Sequence, residues 1–199
     1  RNLFSTAQFG HADFETVTKA DMERLTFLNS PSNAFAVFYQ PSLAKKQPAS
    51  NFLVVLDAIR DPGNMGTILR LCDWFGVEEL VVTDDCVDVF NEKVVQASMG
   101  SVAATQVFVM NRAQIAALAV SQNYKVYGAD MEATSMYETK YAAKSILVLG
   151  NEGQGISEEL LAIINEKITI PAADSAKAES LNVATAAAIL LSDYARKQR

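Results

Sequence analysis

Three stretches of the chain hold residues whose types and spacing suit chemistry on a polar or anionic substrate. The first is Leu56-Asp-Ala-Ile-Arg-Asp-Pro-Gly-Asn-Met-Gly-Thr-Ile-Leu-Arg70. The apolar run Phe52 to Leu56 reads as a buried strand, Asp61-Pro62-Gly63-Asn64 breaks it with turn residues, and a helical pattern follows. Asn64 is the expected N-cap, its side-chain oxygen accepting from free amides of the first turn. Ile68, Leu69, Cys72 and Phe75 share the face that should pack on the sheet. Arg70 lies off that face, one turn beyond Gly66. Because helical side chains lean toward the N-terminus, its guanidinium is expected above that glycine, as a floor for an anionic or polar substrate.

The second stretch is Gly150-Asn-Glu-Gly-Gln-Gly-Ile-Ser157, between an apolar strand and a helix. Its glycines let the backbone approach a ligand and present amides to it. The order is wrong for G-x-G-x-x-G, and no G-K-[ST] follows for a phosphate loop. A purely structural turn, with Ser157 as N-cap and Glu158 and Glu159 against the helix dipole, explains the glycines equally well. Glu152 favours a hydroxyl or a cationic ligand, since a carboxylate repels phosphate. The third stretch runs Pro171-Ala-Ala-Asp-Ser-Ala-Lys-Ala-Glu-Ser-Leu-Asn182. Ser180 is the expected cap of the last helix, and Asn182 is a poor interior helix former that capping by Ser180 leaves unexplained.

The elements that must position these loops alternate in type. Strands are expected at 52–56, 80–83, 105–109, 125–129, 146–149 and 167–170. Helices are expected at 64–75, 91–98, 113–122, 157–164 and 180–197. This is the pattern of an α/β domain with a mainly parallel sheet and helices on both faces. Ligands of such sheets bind where strand C-termini enter helices, which is where all three stretches fall. Upstream, Lys19–Leu28 reads as a short helix and Ala34–Tyr39 as a strand. The polar, proline-bearing segment 40–50 reads as a linker.

Bulk properties narrow the classes. The 199 residues carry a net charge of −6. Residues 1–50 hold five Lys/Arg against four Asp/Glu, and residues 51–199 hold twelve against nineteen. An acidic body argues against tight non-specific nucleic-acid binding, which rests on phosphate neutralisation, but it leaves room for a small basic site. No apolar run reaches spanning length. The start carries no signal-peptide pattern, although it begins at Arg1, so residues upstream are expected to be missing. Cys72 and Cys86 sit in no metal spacing and read as reduced thiols of a cytoplasmic protein. His11 is the only histidine, which rules out a His-based metal site. Cys72, Trp74 and Phe75 are read as core, Trp74 and Phe75 in preference to a base-stacking platform.

Together the three stretches resemble the SpoU (TrmH) family of S-adenosylmethionine-dependent RNA ribose 2′-O-methyltransferases, within the SPOUT superfamily. The family's N-x-G-x-x-x-R matches Asn64, Gly66 and Arg70. Its G-x-E-G-x-G-[IL]-S matches Gly150 to Ser157, and its I-P…E-S-L-N-V matches Ile170-Pro171 and Glu179 to Val183. All three occur in family order across residues 52–199. The chain departs from the usual I-P-M-x-G: Ala172 to Ala178 makes that loop longer and free of glycine.

The resemblance implies a C-terminal deep trefoil knot, S-adenosylmethionine as methyl donor without a metal, and a homodimer. RNA is the implied substrate, rRNA before tRNA. It implies that Asn64, Arg70, Glu152, Ser180 and Asn182 line the reaction centre, and that Leu149, Gly150, Asn151, Gly153, Ile170 and Leu181 cradle the donor. Gly66 would then be the gap through which the ribose approaches. Residues 1–50 would be the end of an L30-like substrate-binding domain plus linker, and 51–199 the methyltransferase domain. A non-catalytic RNA-binding protein on the same fold is the alternative reading.

Overall fold

A computed structural model describes the backbone of residues 2–5, and residues 15–26, 30–40 and 47–198 in full. By its contacts the chain divides into two units, Arg1–Ser42 and Leu43–Arg199. In the first, β1 (Asn2–Ser5) pairs in parallel with β2 (Glu15–Thr16). Helix α1 (Lys19–Leu25) starts on a capping box, in which Thr18 and Asp21 each accept from the other's backbone N–H. Strand β3 (Ala34–Val37) then pairs antiparallel with β1. The expected extension of α1 to Leu28, the middle of the expected linker and His11 lie outside the described residues.

The second unit is built on β4 (Phe52–Leu56), β5 (Glu79–Thr83), β6 (Gln106–Met110), β7 (Lys125–Ser135), β8 (Ser145–Leu149) and β9 (Glu166–Thr169). They lie in the order β6-β5-β4-β8-β7-β9, and every neighbouring pair is parallel. Strand β4 is buried along its whole length, which is why it reads as an unbroken apolar run. Its alternate residues feed two cores. Leu53 and Val55 pack with Ile115 and Leu118 of α4 (Arg112–Ser121) and Leu160 of α5 (Glu158–Leu161). Val54 and Leu56 pack with Ile68, Leu69 and Cys72 of α2 (Pro62–Phe75) and Val94 of α3 (Glu92–Ser98). Ala187, Leu190 and Leu191 of α6 (Val183–Lys197) complete that side. Helices therefore cover both faces of a parallel sheet, as the alternation predicts.

Several boundaries move. Strand β7 continues past the expected Ala129 to Ser135, with a register shift between Ala129 and Thr134 against β9. Asp130 to Thr134 alternates polar residues with Met131 and Ala133, a strand period that an expected end at Ala129 leaves out. Helix α5 is a single turn where a helix to Ile164 is expected. Asn165 instead bonds both backbone groups of Val126, at 2.9 and 2.7 Å, which draws the chain into β9. The end of the expected linker is held on the body. Glu79 accepts from the amides of Ala49 and Ser50, and Gln122 and Tyr124 donate to the carbonyls of Pro48 and Ser50. Among the described residues no helix is long and apolar enough to cross a membrane.

Candidate active site

Helix α2 begins earlier than expected. Pro62 occupies its first turn, where a missing N–H costs nothing, and Asp61 is the N-cap, accepting from Asn64 N at 2.8 Å. Asn64 is thus inside the helix, and its side chain is free for other work. Its Nδ2 donates to Glu152 Oε1 at 2.5 Å, and its Oδ1 accepts from Asn182 Nδ2 at 2.9 Å. Asn182, not Ser180, caps α6, its Oδ1 accepting from Ala184 N and Thr185 N at 2.9 and 3.3 Å. One short chain of amides and a carboxylate, Asn182 to Asn64 to Glu152, therefore joins all three loops. Asn64 lies 88 residues from Glu152 and 118 from Asn182.

Arg70 is exposed on α2 and makes no hydrogen bond or ion pair among the described residues. Ser180 is likewise exposed, in a loop whose residues 171–182 all face solvent. Gly66 is not an open floor. It is buried, and a Cβ there would stand 2.5 Å from Ala97 Cβ and 2.7 Å from the Val94 carbonyl of α3. Its lack of a side chain serves the packing of α2 on α3, and the expected gap for a ribose is filled by that helix. Trp74, expected in the core, is 82% exposed on the outer side of α2, whereas Cys72 is fully buried as expected, and burial pushes its thiol up to about 12.

The glycine loop is a closed structure. Asn151 and Gly155 exchange backbone hydrogen bonds at 3.0 and 2.9 Å. Asn151 Oδ1 accepts from Gly153 N and Gln154 N, and its Nδ2 donates to the Ala58 carbonyl at 2.8 Å. A Cβ on Gly150 would collide with Gly155 and Ile156 backbone at 2.3–2.5 Å, so glycine is required there. A Cβ on Gly153 would make only an ordinary contact, with Asn151 Oδ1 at 3.6 Å. Leu149 is buried at the end of β8, Ile170 is half-buried against the core, and Leu181 is 48% exposed. Among the described residues no cluster could hold a metal ion.

A group of residues at the same strand ends was not anticipated. Asp57, 1% exposed, follows β4, Asp85 follows β5, Arg112 follows β6, and Ser157 ends the glycine loop. Arg112 Nε donates to Asp57 Oδ1 and Ser157 Oγ, both at 2.9 Å, while Nη2 lies 2.7 Å from Asp57 Oδ1 and 2.9 Å from Asp85 Oδ2. Bonding to Asp85 and then Asp57 outweighs burial and pushes Arg112 further up. Burial opposes ionisation of Asp85, but the Thr83 hydroxyl and Arg112 prevail and hold its carboxyl below the usual carboxylate range. The readable signal was a charged residue just beyond the apolar run of each of three strands.

This geometry can be set against known proteins. The SpoU rRNA Methylase family model matches residues 51–192. The chain belongs to that family. Among relatives of the SpoU chain, the 23S rRNA (guanosine(2553)-2′-O)-methyltransferase RlmP of Bacillus subtilis is 32% identical over 168 residues, which cover 84% of this chain and 66% of that protein. A TrmH-family structure from Porphyromonas gingivalis superposes with a TM-score of 0.86 at 38% identity, covering 99% of this chain and 82% of that one. An AdoMet-bound rRNA methyltransferase from Sinorhizobium meliloti superposes at 0.78 with 26% identity, covering 93% and 72%. The chain spans between about half and two thirds of the curated relatives it matches, 66%, 55% and 60% of the first three.

Proposed function

We propose that this SpoU-family chain transfers a methyl group from S-adenosylmethionine to a ribose 2′-hydroxyl of RNA, rRNA in preference to tRNA. The observation that carries this reading is the Asn182–Asn64–Glu152 chain, which gathers the three motif loops at one end of the sheet. The RNA-methylating relatives support the reaction class. The donor-side residues suit a molecule with apolar and polar parts. Gly153 leaves room beside it, Leu149 and Ile170 offer apolar walls, and Leu181 exposes a side chain that a ligand would cover. When bound, the donor supplies a methyl carried on a cationic sulfur.

A ribose hydroxyl must lose its proton as it attacks, and in-line placement is most of the task. A guanidinium is effectively never deprotonated in proteins, so Arg70 does not act as the base. With no partner among the described residues, its guanidinium is available to hold the adjacent phosphate and stabilise developing alkoxide charge. Proton removal falls to phosphate or water. Glu152 and Asn64 orient the ribose and Arg70, while Asn182 and Ser180 fix the mouth of the third loop.

Four further parts belong to the reading. The trefoil knot lies in the segment β7–β8–β9 with α6 returning onto α2. Exposed Trp74 supports a homodimer. Residues 1–50 form the end of an L30-like domain plus linker, in a protein of the cytoplasm. Calorimetry with S-adenosylmethionine tests the reading. Heat of binding is expected, whereas none at roughly millimolar donor would refute the enzyme and leave an RNA-binding protein on this fold.

A further inference from the structure

We propose that Arg112 is a positioning residue for the glycine loop, setting the geometry in which Asn151, Gly153 and Glu152 are presented. The inference rests on the proposed reading only in what that geometry serves. Its core is that Asp57 closes both ends of the loop. The Asp57 backbone N–H donates to the Leu149 carbonyl at 2.9 Å, just before the loop, and its Oδ2 accepts from Ser157 N at 2.7 Å, just after it. The next residue, Ala58, holds Asn151 through its carbonyl and donates to Thr83 Oγ1 at 2.8 Å. Ala58 also sits in the left-handed region at φ 56°, a conformation that persists only where neighbours enforce it.

Arg112 fixes the carboxylate that does the closing. It neutralises Asp57, which is buried, and it takes Ser157 Oγ, leaving Ser157 as a helix cap with no side-chain cap bond. Its tie to Asp85 anchors the assembly to β5, and Thr83 bonds both Asp85 and Ala58. A planar guanidinium serves these directions at once, and a lysine ammonium cannot do so with the same geometry. The loop that carries Glu152 toward Asn64 is thus preorganised from the strand beyond its own neighbours.

The test separates positioning from simple charge pairing. Arg112→Met leaves buried Asp57 without its cationic partner and is expected to lower Tm. The double variant Asp57→Asn/Arg112→Met removes both charges and is expected to regain most of that Tm. It should nevertheless bind S-adenosylmethionine at least tenfold more weakly, with amide exchange at Gly153 and Gln154 at least tenfold faster. Wild-type affinity and exchange in the double variant would overturn the proposal. Arg112→Lys, which keeps the charge, is expected to give the same two losses with Tm little changed, and decides the matter should the double variant not fold. If the wild type itself shows no donor heat, the proposed function falls, and the exchange rates alone decide whether Arg112 positions the loop.

Discussion

Replacing Gly66 by alanine distinguishes a packing glycine from a substrate gap. The new Cβ would meet Ala97 Cβ at 2.5 Å, the Val94 carbonyl oxygen at 2.7 Å and Ser98 N at 2.9 Å. Two of these atoms are backbone, so no side-chain rotation relieves them and α3 must move away from α2. Alanine gains about 1 kcal/mol of helix propensity over glycine. Overpacking costs about 1–3 kcal/mol, and a backbone obstacle places this site at the upper end. The balance is a loss of about 1–2 kcal/mol, or about 2–8 °C in Tm for a chain of this size. Thermal and urea unfolding measure it. Gly66→Ala/Ala97→Gly should recover part of the loss, since the nearest atom is removed while Val94 O remains. Unchanged Tm together with lost methyl transfer would refute this account and restore Gly66 as an opening for the ribose.

Other expectations concern the amide chain, acid stability and the thiols. Asn182→Ala removes a cap and should cost about 1 kcal/mol along with activity. Asn182→Asp keeps the cap acceptor but cannot donate to Asn64, so stability should hold while methyl transfer falls; full activity would remove Asn182 from the site. Asp85 has a carboxyl held below its ordinary value, so its stabilisation is complete above about pH 4 and lost as pH falls through the lower folded value. The Tm advantage of wild type over Asp85→Asn should therefore shrink on acidification below that pH, and an advantage that grew would contradict the assignment. Burial pushes both thiols up, Cys72 to about 12, so a disulfide reagent near pH 8 should label the native chain far more slowly than the unfolded one. Rapid native labelling of Cys72 would mean that α2 does not pack as described.

The sequence showed the strand–loop–helix units because their apolar periods are local. It also showed which loops meet, since three ordered motifs in one family fix their company. What it missed depends on neighbours that no local pattern reveals. Asp61 and Asn64 are both good caps, and Pro62, which suits turn chemistry and a first helical turn alike, does not by itself choose between them. Gly66 looked open because nothing in residues 56–70 announces that α3 lies against it. Trp74 looked buried because indoles usually are. The Arg112 network arises from the sheet order β6-β5-β4-β8, which brings residues 57, 85, 112 and 157 to one edge. Strand order is a tertiary fact, and the charged residues beyond each strand acquire meaning only with it.

Arg70→Ala most directly tests the central claim, that the α2 loop is the substrate half of a methyl-transfer site whose donor half is the glycine loop. Donor affinity is read by calorimetry and methyl transfer by incorporation into unmodified 23S rRNA. Affinity is expected within about threefold of wild type, with transfer reduced by at least about a hundredfold, the scale of losing one charge-stabilising donor. A donor affinity that fell as far as the transfer rate would contradict the claim and make Arg70 part of the donor site or of the fold.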